Sequence, residues 1–261
     1  MTTLSAAGSH VGKVRSNNQD SGYAGEHLFV VADGMGGHAG GDVASALAIQ
    51  SIAHVDRAFD NAADAVEALR SALLEANQEL AETVFEHPEL AGMGTTVSGF
   101  VRIGDSLALA HIGDSRVYRW REGVLTQVTK DHTFVQRLVD SGRITAEEAA
   151  VHPRRSVLMR VLGDVDITPE IDVEVLDTRP GDRWVLCSDG LSGYVTEQRV
   201  GELLDKHADA AAAVEALIDE SLAHGAPDNV TVVIVGVDES PSSSAGAPVM
   251  VGSAAKPLTY T

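Results

Sequence analysis

From Thr95 to Thr129 four apolar segments follow one another with almost no chain between them. They are "TTVSGFVRI", then Gly104-Asp105, "SLALAHI", then Gly113-Asp114, "SRVYRW", then "REG" and "VLTQVT". Parallel neighbours need a crossover of a dozen residues or more, whereas turns of two or three residues join only antiparallel ones. This stretch therefore predicts an antiparallel meander, and any fold for the chain must be built around it.

The flanking sequence adds helices in pairs rather than in strict alternation with strands. "HLFVVA" (His27 to Ala32) reads as a buried strand and "DVASALAIQSIAHV" as a helix. A longer helix, with Val66, Leu69, Leu73, Leu80 and Val84 at helical spacing, runs between a cap at Asp60 and Pro88. After the meander, "DHTFVQRLVDSGRITAEEAA" predicts two short helices, the second opened by a Thr145/Glu148 capping box. "EIDVEVLD", "DRWVLCSD" and "NVTVVIVGV" read as strands. Helices around Val200 to Leu204 and Val214 to Leu222 lie between the last two, with Gly225 as the C-terminal stop. From Glu239 the chain is rich in Ser, Ala, Pro and Gly without a period, and a flexible tail over 239–261 is expected. The pattern predicts an α+β fold of two mainly antiparallel sheets packed together with helices outside.

Composition limits function. The net charge of −19 excludes a general nucleic-acid binder, which needs a basic face. Cys187 is the only cysteine, so no internal disulfide is possible and a reducing, cytoplasmic setting is expected. No apolar run reaches the length of a membrane span, and "MTTLSAAGSH" has neither the basic start nor the apolar middle of a signal peptide.

Four aspartates stand where an apolar strand meets a turn of small residues: Asp33 in "ADGMGG", Asp114 in "IGDSR", Asp189 in "CSDGL" and Asp228 in "APDNV". Any one alone reads as a turn aspartate. All four, each beside glycine or another small residue, suggest a common purpose, because strand ends hold side chains rigidly yet open to solvent. Clustered carboxylates repel unless cations or protons intervene. Oxygen ligands without His or Cys partners favour Mg²⁺ or Mn²⁺, and two such ions make a phosphoryl-transfer site.

"VRSNNQD", "VVADGMGGHAGG", "GMGTT", "HIGDSRVYRW", "LCSDGLSG" and "PDNVTVVIV", in this order, resemble the successive motifs of the metal-dependent serine/threonine protein phosphatases of type 2C. The likeness covers about residues 5–238 and leans to the bacterial, actinobacterial-like branch. It implies a four-layer αββα sandwich that hydrolyses phosphoserine and phosphothreonine with a water activated by two Mn²⁺ or Mg²⁺ ions, with a third ion possible. By resemblance, Asp33 bridges the ions, the Gly34 carbonyl ligates one, and Asp189 and Asp228 complete the pair. Asp114 holds the third ion, Asp20 bonds metal-bound water, and Arg15 grips the substrate phosphate. The segment at about 130–163 corresponds to a flap, where Arg154 and Arg155 either meet an acidic or phosphorylated substrate or form a solvated pair. Met35 occupies the place where some members carry a histidine. His38, three residues on, and a metal-bound water are the alternatives for protonating the leaving group. Gln19 stands where some members have Glu. Implied partners are phosphorylated proteins, Ser/Thr kinases among them, and the implied state is a monomer.

Other chemistries leave other marks. Cys187 lacks an arginine six places on, where Gly193 stands, so it reads as a core residue. No Walker-type loop exists, and "DGMGG" departs from the glycine box of certain ATP-binding kinases at Met35. A non-catalytic phosphoprotein-binding module of the same fold is one alternative. An aspartyl-nucleophile phosphatase using Asp164 of "DVDIT" is another. The last is separable by mutation: if Asp164 is the nucleophile, Asp164→Asn abolishes turnover and Asp189→Asn spares it. The metal reading expects the opposite in a phosphopeptide assay.

Overall fold

The computed structural model describes residues 4–36, 40–164, 168–238 and 247–260. Its elements in chain order begin with β1 (Ser5–His10), β2 (Asp20–Ala24), β3 (Leu28–Met35), α1 (Gly40–Ile52), α2 (Ala62–Glu86) and β4 (Gly94–Thr95). The meander follows as β5 (Val97–Ile103), β6 (Ser106–Ile112), β7 (Arg116–Arg121) and β8 (Val124–Gln127), then α3 (Phe134–Asp140) and α4 (Ala146–Ala150). β9 (Asp172–Asp177), β10 (Arg183–Cys187), α5 (Asp189–Ser192), α6 (Glu197–Lys206), α7 (Ala210–Ala223), β11 (Val230–Gly236) and β12 (Val249–Gly252) complete the chain.

Two antiparallel sheets form, one ordered β1-β11-β10-β7-β8, the other β12-β2-β3-β5-β6-β9 with β4 paired to β3. The side-chain period of two explains why their central strands read as unbroken apolar runs. In β3, Leu28, Val30 and Ala32 join the core beneath α1 and α2, while Phe29 and Val31 face the other sheet. In β10, Val185 and Cys187 pack towards α5, α6 and α7, while Trp184 and Leu186 face inward. Both faces of each sheet are thus covered, which makes the four layers. The seam between the sheets is aromatic: Phe100 lies 5.6 Å from Phe29 and 5.8 Å from Trp184, ring centre to ring centre. The Trp184 indole N–H donates to Thr178 Oγ1 at 2.9 Å. The meander splits between the sheets, β5 and β6 staying in one while β7 and β8 enter the other, so the turn carrying Asp114 crosses from sheet to sheet.

Local signals account for the helix ends. Thr145 and Glu148 form the expected capping box. α7 ends in a Schellman turn, with Gly225 at φ 101°, Gly225 N–H donating to Leu222 and Ala226 N–H to Ser221. The cap of α2 is Asn61 rather than Asp60; its Oδ1 accepts from the Asp64 N–H.

Three strands differ from the sequence reading. β1 and β2, "SAAGSH" and "DSGYA", have too little apolar alternation to announce themselves, and they form because β11 and β3 offer register partners. The expectation of a flexible tail is corrected at 249–252: β12 pairs antiparallel with β2 and closes what would otherwise be an open sheet edge. Residues 239–246 lie outside the described part. Among the described residues no helix is long and apolar enough to cross a membrane.

Trp184 is fully buried and fills the seam between the sheets. Trp184→Ala is expected to cost about 3–5 kcal/mol, read as a fall in the urea midpoint. A change below about 1 kcal/mol would mean that the seam does not depend on this ring.

Candidate active site

The acids arrive at one place by pairing. Asp20 opens β2 and is the register partner of Asp33 in β3. Asp189 begins α5 directly after β10, and Asp228 lies two residues before β11, the strand hydrogen-bonded to β10. The β6–β7 turn brings Asp114. Asp33 feels the charges of Asp20, Asp189, Asp114 and Asp228 together, so carboxylates far apart in the chain share one pocket at the ends of both sheets.

Short polar side chains hold this arrangement. Asn229 accepts the Gln19 N–H at 2.8 Å and donates to the carbonyls of Val11 and Asn17, tying the loop after β1 to β11. Ser188 donates to Asp20 Oδ2 at 2.7 Å and accepts the Thr231 N–H. Thr96 Oγ1 accepts the Asp33 N–H, and its hydroxyl meets that of Ser115. Glycine here serves close approach rather than flexibility. A Cβ on Gly34 would stand 1.8 Å from the Gly41 carbonyl oxygen, and one on Gly190 1.8 Å from that of Asn229. The Gly34 N–H is taken by Gln19 O at 3.1 Å.

Arg15 sits at the rim, half-exposed, and its guanidinium donates to Asp228 Oδ2 at 2.7 Å. The two neighbouring arginines of the 130–163 segment part company: Arg154 lies over the Phe134 ring at 4.1 Å, whereas the Arg155 charge reaches Asp189. That segment is pinned at both ends. His132 Nδ1 accepts the Gly113 N–H at 3.1 Å, and Leu162 exchanges two backbone bonds with Thr95. Asp164 lines a cavity of about 650 Å³ with Met35, His132, Met159 and Arg160, and none of the five clustered acids lines it. His38 lies outside the described residues. Asn229, Ser188 and Thr96 escaped the sequence reading. Only their direct adjacency to an acid or to the "GTT" motif hinted at them.

Crowding sets the charge state. Burial and the charges of its neighbours push Asp33 well above the ordinary carboxylate range. Burial, opposed by the Ser188 hydrogen bond, takes Asp20 up to about 7. Burial, with the charges of Asp189 and Asp131, takes Asp114 to about 8. Burial and Asp228 raise Asp189 to about 6, while Arg15, Arg155 and a hydrogen bond from Asp33 draw it back. Among the described residues no three His, Cys, Asp or Glu side chains are already drawn up to hold a metal ion. Instead each carboxylate leans on a neighbour: Asp228 on Arg15, Asp20 on Ser188, Asp189 on Asp33. The donor set is nevertheless all oxygen, and Asp20 Oδ1 is buried without a hydrogen-bond partner. Those features fit a hard divalent cation.

In a metal-free sample Asp20, Asp33 and Asp114 keep protons that the unfolded chain, titrating at about 4, has released. The folded state then binds more protons than the unfolded one, and stability falls as pH rises through the folded values. Burial lowers His111 to about 4, which acts in the opposite sense, but only below about pH 6.5. The melting temperature of EDTA-treated protein is therefore expected to drop between about pH 6.5 and about pH 8.5. A rise across that window would contradict the buried-acid picture.

The protein-family model described as protein phosphatase 2C matches residues 7–224. The serine/threonine protein phosphatase PstP of Mycobacterium tuberculosis is 48% identical over 232 residues, covering 89% of this chain and 44% of its own length. The chain thus spans less than half of that relative. The serine/threonine phosphatase stp of Listeria monocytogenes is 34% identical over 86% of this chain and 92% of its own. Among solved structures, the catalytic domain of PstP in complex with two manganese ions superposes with a TM-score of 0.82 at 45% identity, covering 90% of this chain and 98% of that one. By sequence and by fold, the chain belongs to the protein phosphatase 2C family.

Proposed function

We propose that the chain is a protein serine/threonine phosphatase that hydrolyses phosphoserine and phosphothreonine esters in one step, using divalent metal ions. The observation that carries this reading is the convergence of Asp20, Asp33, Asp114, Asp189 and Asp228 on one pocket with Arg15 at its rim. The same fold holds two manganese ions in the PstP catalytic domain, and the all-oxygen donor set here suits Mn²⁺ or Mg²⁺. Asp33, the Gly34 carbonyl, Asp189 and Asp228 are the proposed ligands of two ions, Asp114 of a third, with Asp20 in the outer shell. When bound, such ions activate water and offset the charge that develops on phosphorus.

The residues of the chain supply the rest. Arg15 presents a guanidinium fork to phosphate oxygens, and its present bond to Asp228 is exposed enough to be exchanged at little cost. Arg155 adds a second positive charge on the same side. Ser188, Asn229 and Thr96 keep the acids from reorienting as their charges are matched. The 130–163 segment, anchored through His132 and Leu162, is the proposed flap beside this pocket within a catalytic domain of 5–238. Proposed substrates are phosphorylated proteins, Ser/Thr kinases among them, in a cytoplasmic setting and with the chain as a monomer. The likeness to PstP supports the actinobacterial-like branch.

Purified protein with Mn²⁺ is expected to release phosphate from a phosphothreonine peptide and to stop on addition of EDTA. Turnover that survives EDTA would sink the metal mechanism, and Mn²⁺ binding without turnover would favour the binding module. Asp33→Asn and Asp189→Asn are expected to lose more than about a hundredfold in kcat, since even an outer-shell partner of a metal is worth that order. Arg15→Ala removes a charge-assisted contact of about 1.5–3 kcal/mol and is expected to raise KM about tenfold or more. An unchanged KM with a collapsed kcat would contradict the phosphate-gripping role.

A further inference from the structure

We propose that Ser253, with the strand β12 that delivers it, is a positioning residue for the loop carrying Arg15 and Asp20. The proposal rests on the metal-dependent phosphatase reading above. β12 lies beyond the stretch matched by the family model, which ends at residue 224, and nothing in the proposed chemistry uses it.

Three successive residues of this strap meet the segment 18–21 one after another. Gly252, at φ 71°, presses so closely on the start of β2 that a Cβ would stand 2.1 Å from the Asp20 carbonyl oxygen. Ser253, nearly buried, donates from Oγ to the Asn18 carbonyl at 2.5 Å. The Ala254 N–H donates to Ser21 Oγ at 3.0 Å, and Ala255 completes the 3₁₀ turn that sets this spacing.

The proton directions beyond Ser21 can be assigned by elimination. Ser45 Oγ lies 2.5 Å from the Gln19 carbonyl, which only accepts, so the Ser45 proton is spent there. At the 2.9 Å contact between the two hydroxyls Ser21 must therefore donate to Ser45. The chain runs one way, from Ala254 N–H through Ser21 and Ser45 to Gln19 O. That same Gln19 oxygen accepts the Gly34 N–H, next to Asp33. Asn18 extends the hold, accepting the Asp20 N–H on Oδ1 and donating to Ser9 Oγ. The strap thus fixes the backbone on either side of Asp20, while Ser188 fixes its side chain. A plain edge-covering strand would need the pairing to β2 but none of these bonds past Gly252.

Removing the Ser253 hydroxyl leaves the β12–β2 pairing intact and takes away the bond that holds the Asn18 carbonyl. Ser253→Ala in the full chain is expected to raise the Mn²⁺ concentration for half-maximal binding about tenfold by calorimetry, in the range of outer-shell partners. The melting temperature in EDTA is expected to move by no more than a few degrees. Gly252→Ala, which drives Asp20 out of place, is expected to weaken Mn²⁺ binding in the same direction. Tyr260→Ala, which removes a stack with His87 at 4.5 Å, is expected to bind Mn²⁺ as the parent does. A melting temperature lowered in Ser253→Ala with Mn²⁺ affinity unchanged would make the strap a structural cover only and overturn the proposal. The phosphatase reading fails separately, if the parent chain binds Mn²⁺ yet leaves a phosphothreonine peptide uncleaved; the calorimetric comparison still decides the role of Ser253.

Discussion

Burying several carboxylates against one another is the constraint on which this structure turns. Left alone, Asp20, Asp33, Asp114 and Asp189 are each pushed above the ordinary carboxylate range by burial first and by neighbouring carboxylate charge second. A fold that pays for such crowding must hold the acids rigidly, because any slack would let them turn out to water. The sandwich provides the rigidity. Each acid stands within two residues of a strand buried on both faces or on the turn that joins the two sheets, so moving one means disturbing an aromatic seam between the sheets or a helix-covered core outside them.

The same constraint explains the small residues around the site. Gly34 and Gly190 sit where any side chain would collide with a neighbouring backbone carbonyl, so the start of α1 lies closer to β3, and the start of α5 closer to β11, than a side chain would permit. Ser188, Thr96 and Asn229 are short, neutral and fully committed to hydrogen bonds, which lets them fix acids without adding charge. Positive charge stands beside the acids rather than among them: Arg15 is bonded to Asp228 at the rim, the Arg155 charge reaches Asp189, and the Arg116 charge reaches Asp114.

The C-terminal strap belongs to the same logic. Without β12, β2, which carries Asp20, would be the sheet edge and would be held on one side only. β12 supplies the other side, and the turn after it reaches Asn18, Ser21 and, through Ser45, Gln19. Stability of the edge and placement of the loop are joined in one segment.

By itself the sequence determined the antiparallel meander, the helix pairs and the caps at Thr145 and Gly225, because turn chemistry and side-chain period act over a few residues. It also grouped Asp33, Asp114, Asp189 and Asp228, which share one local signature of strand, acid and small residue, whereas Asp20 lacks that signature and entered only by resemblance to a known family. Tertiary structure alone decided β1, β2 and β12, whose sequences carry too little apolar alternation and which form only when a partner strand presents unpaired backbone groups. It alone separated Arg154 from Arg155, identical neighbours in sequence, one set on Phe134 and the other towards Asp189. The reason is the same throughout: hydrogen bonds and steric contacts made only when separate elements pack together leave no trace in the local pattern, and here some of them join residues more than two hundred positions apart.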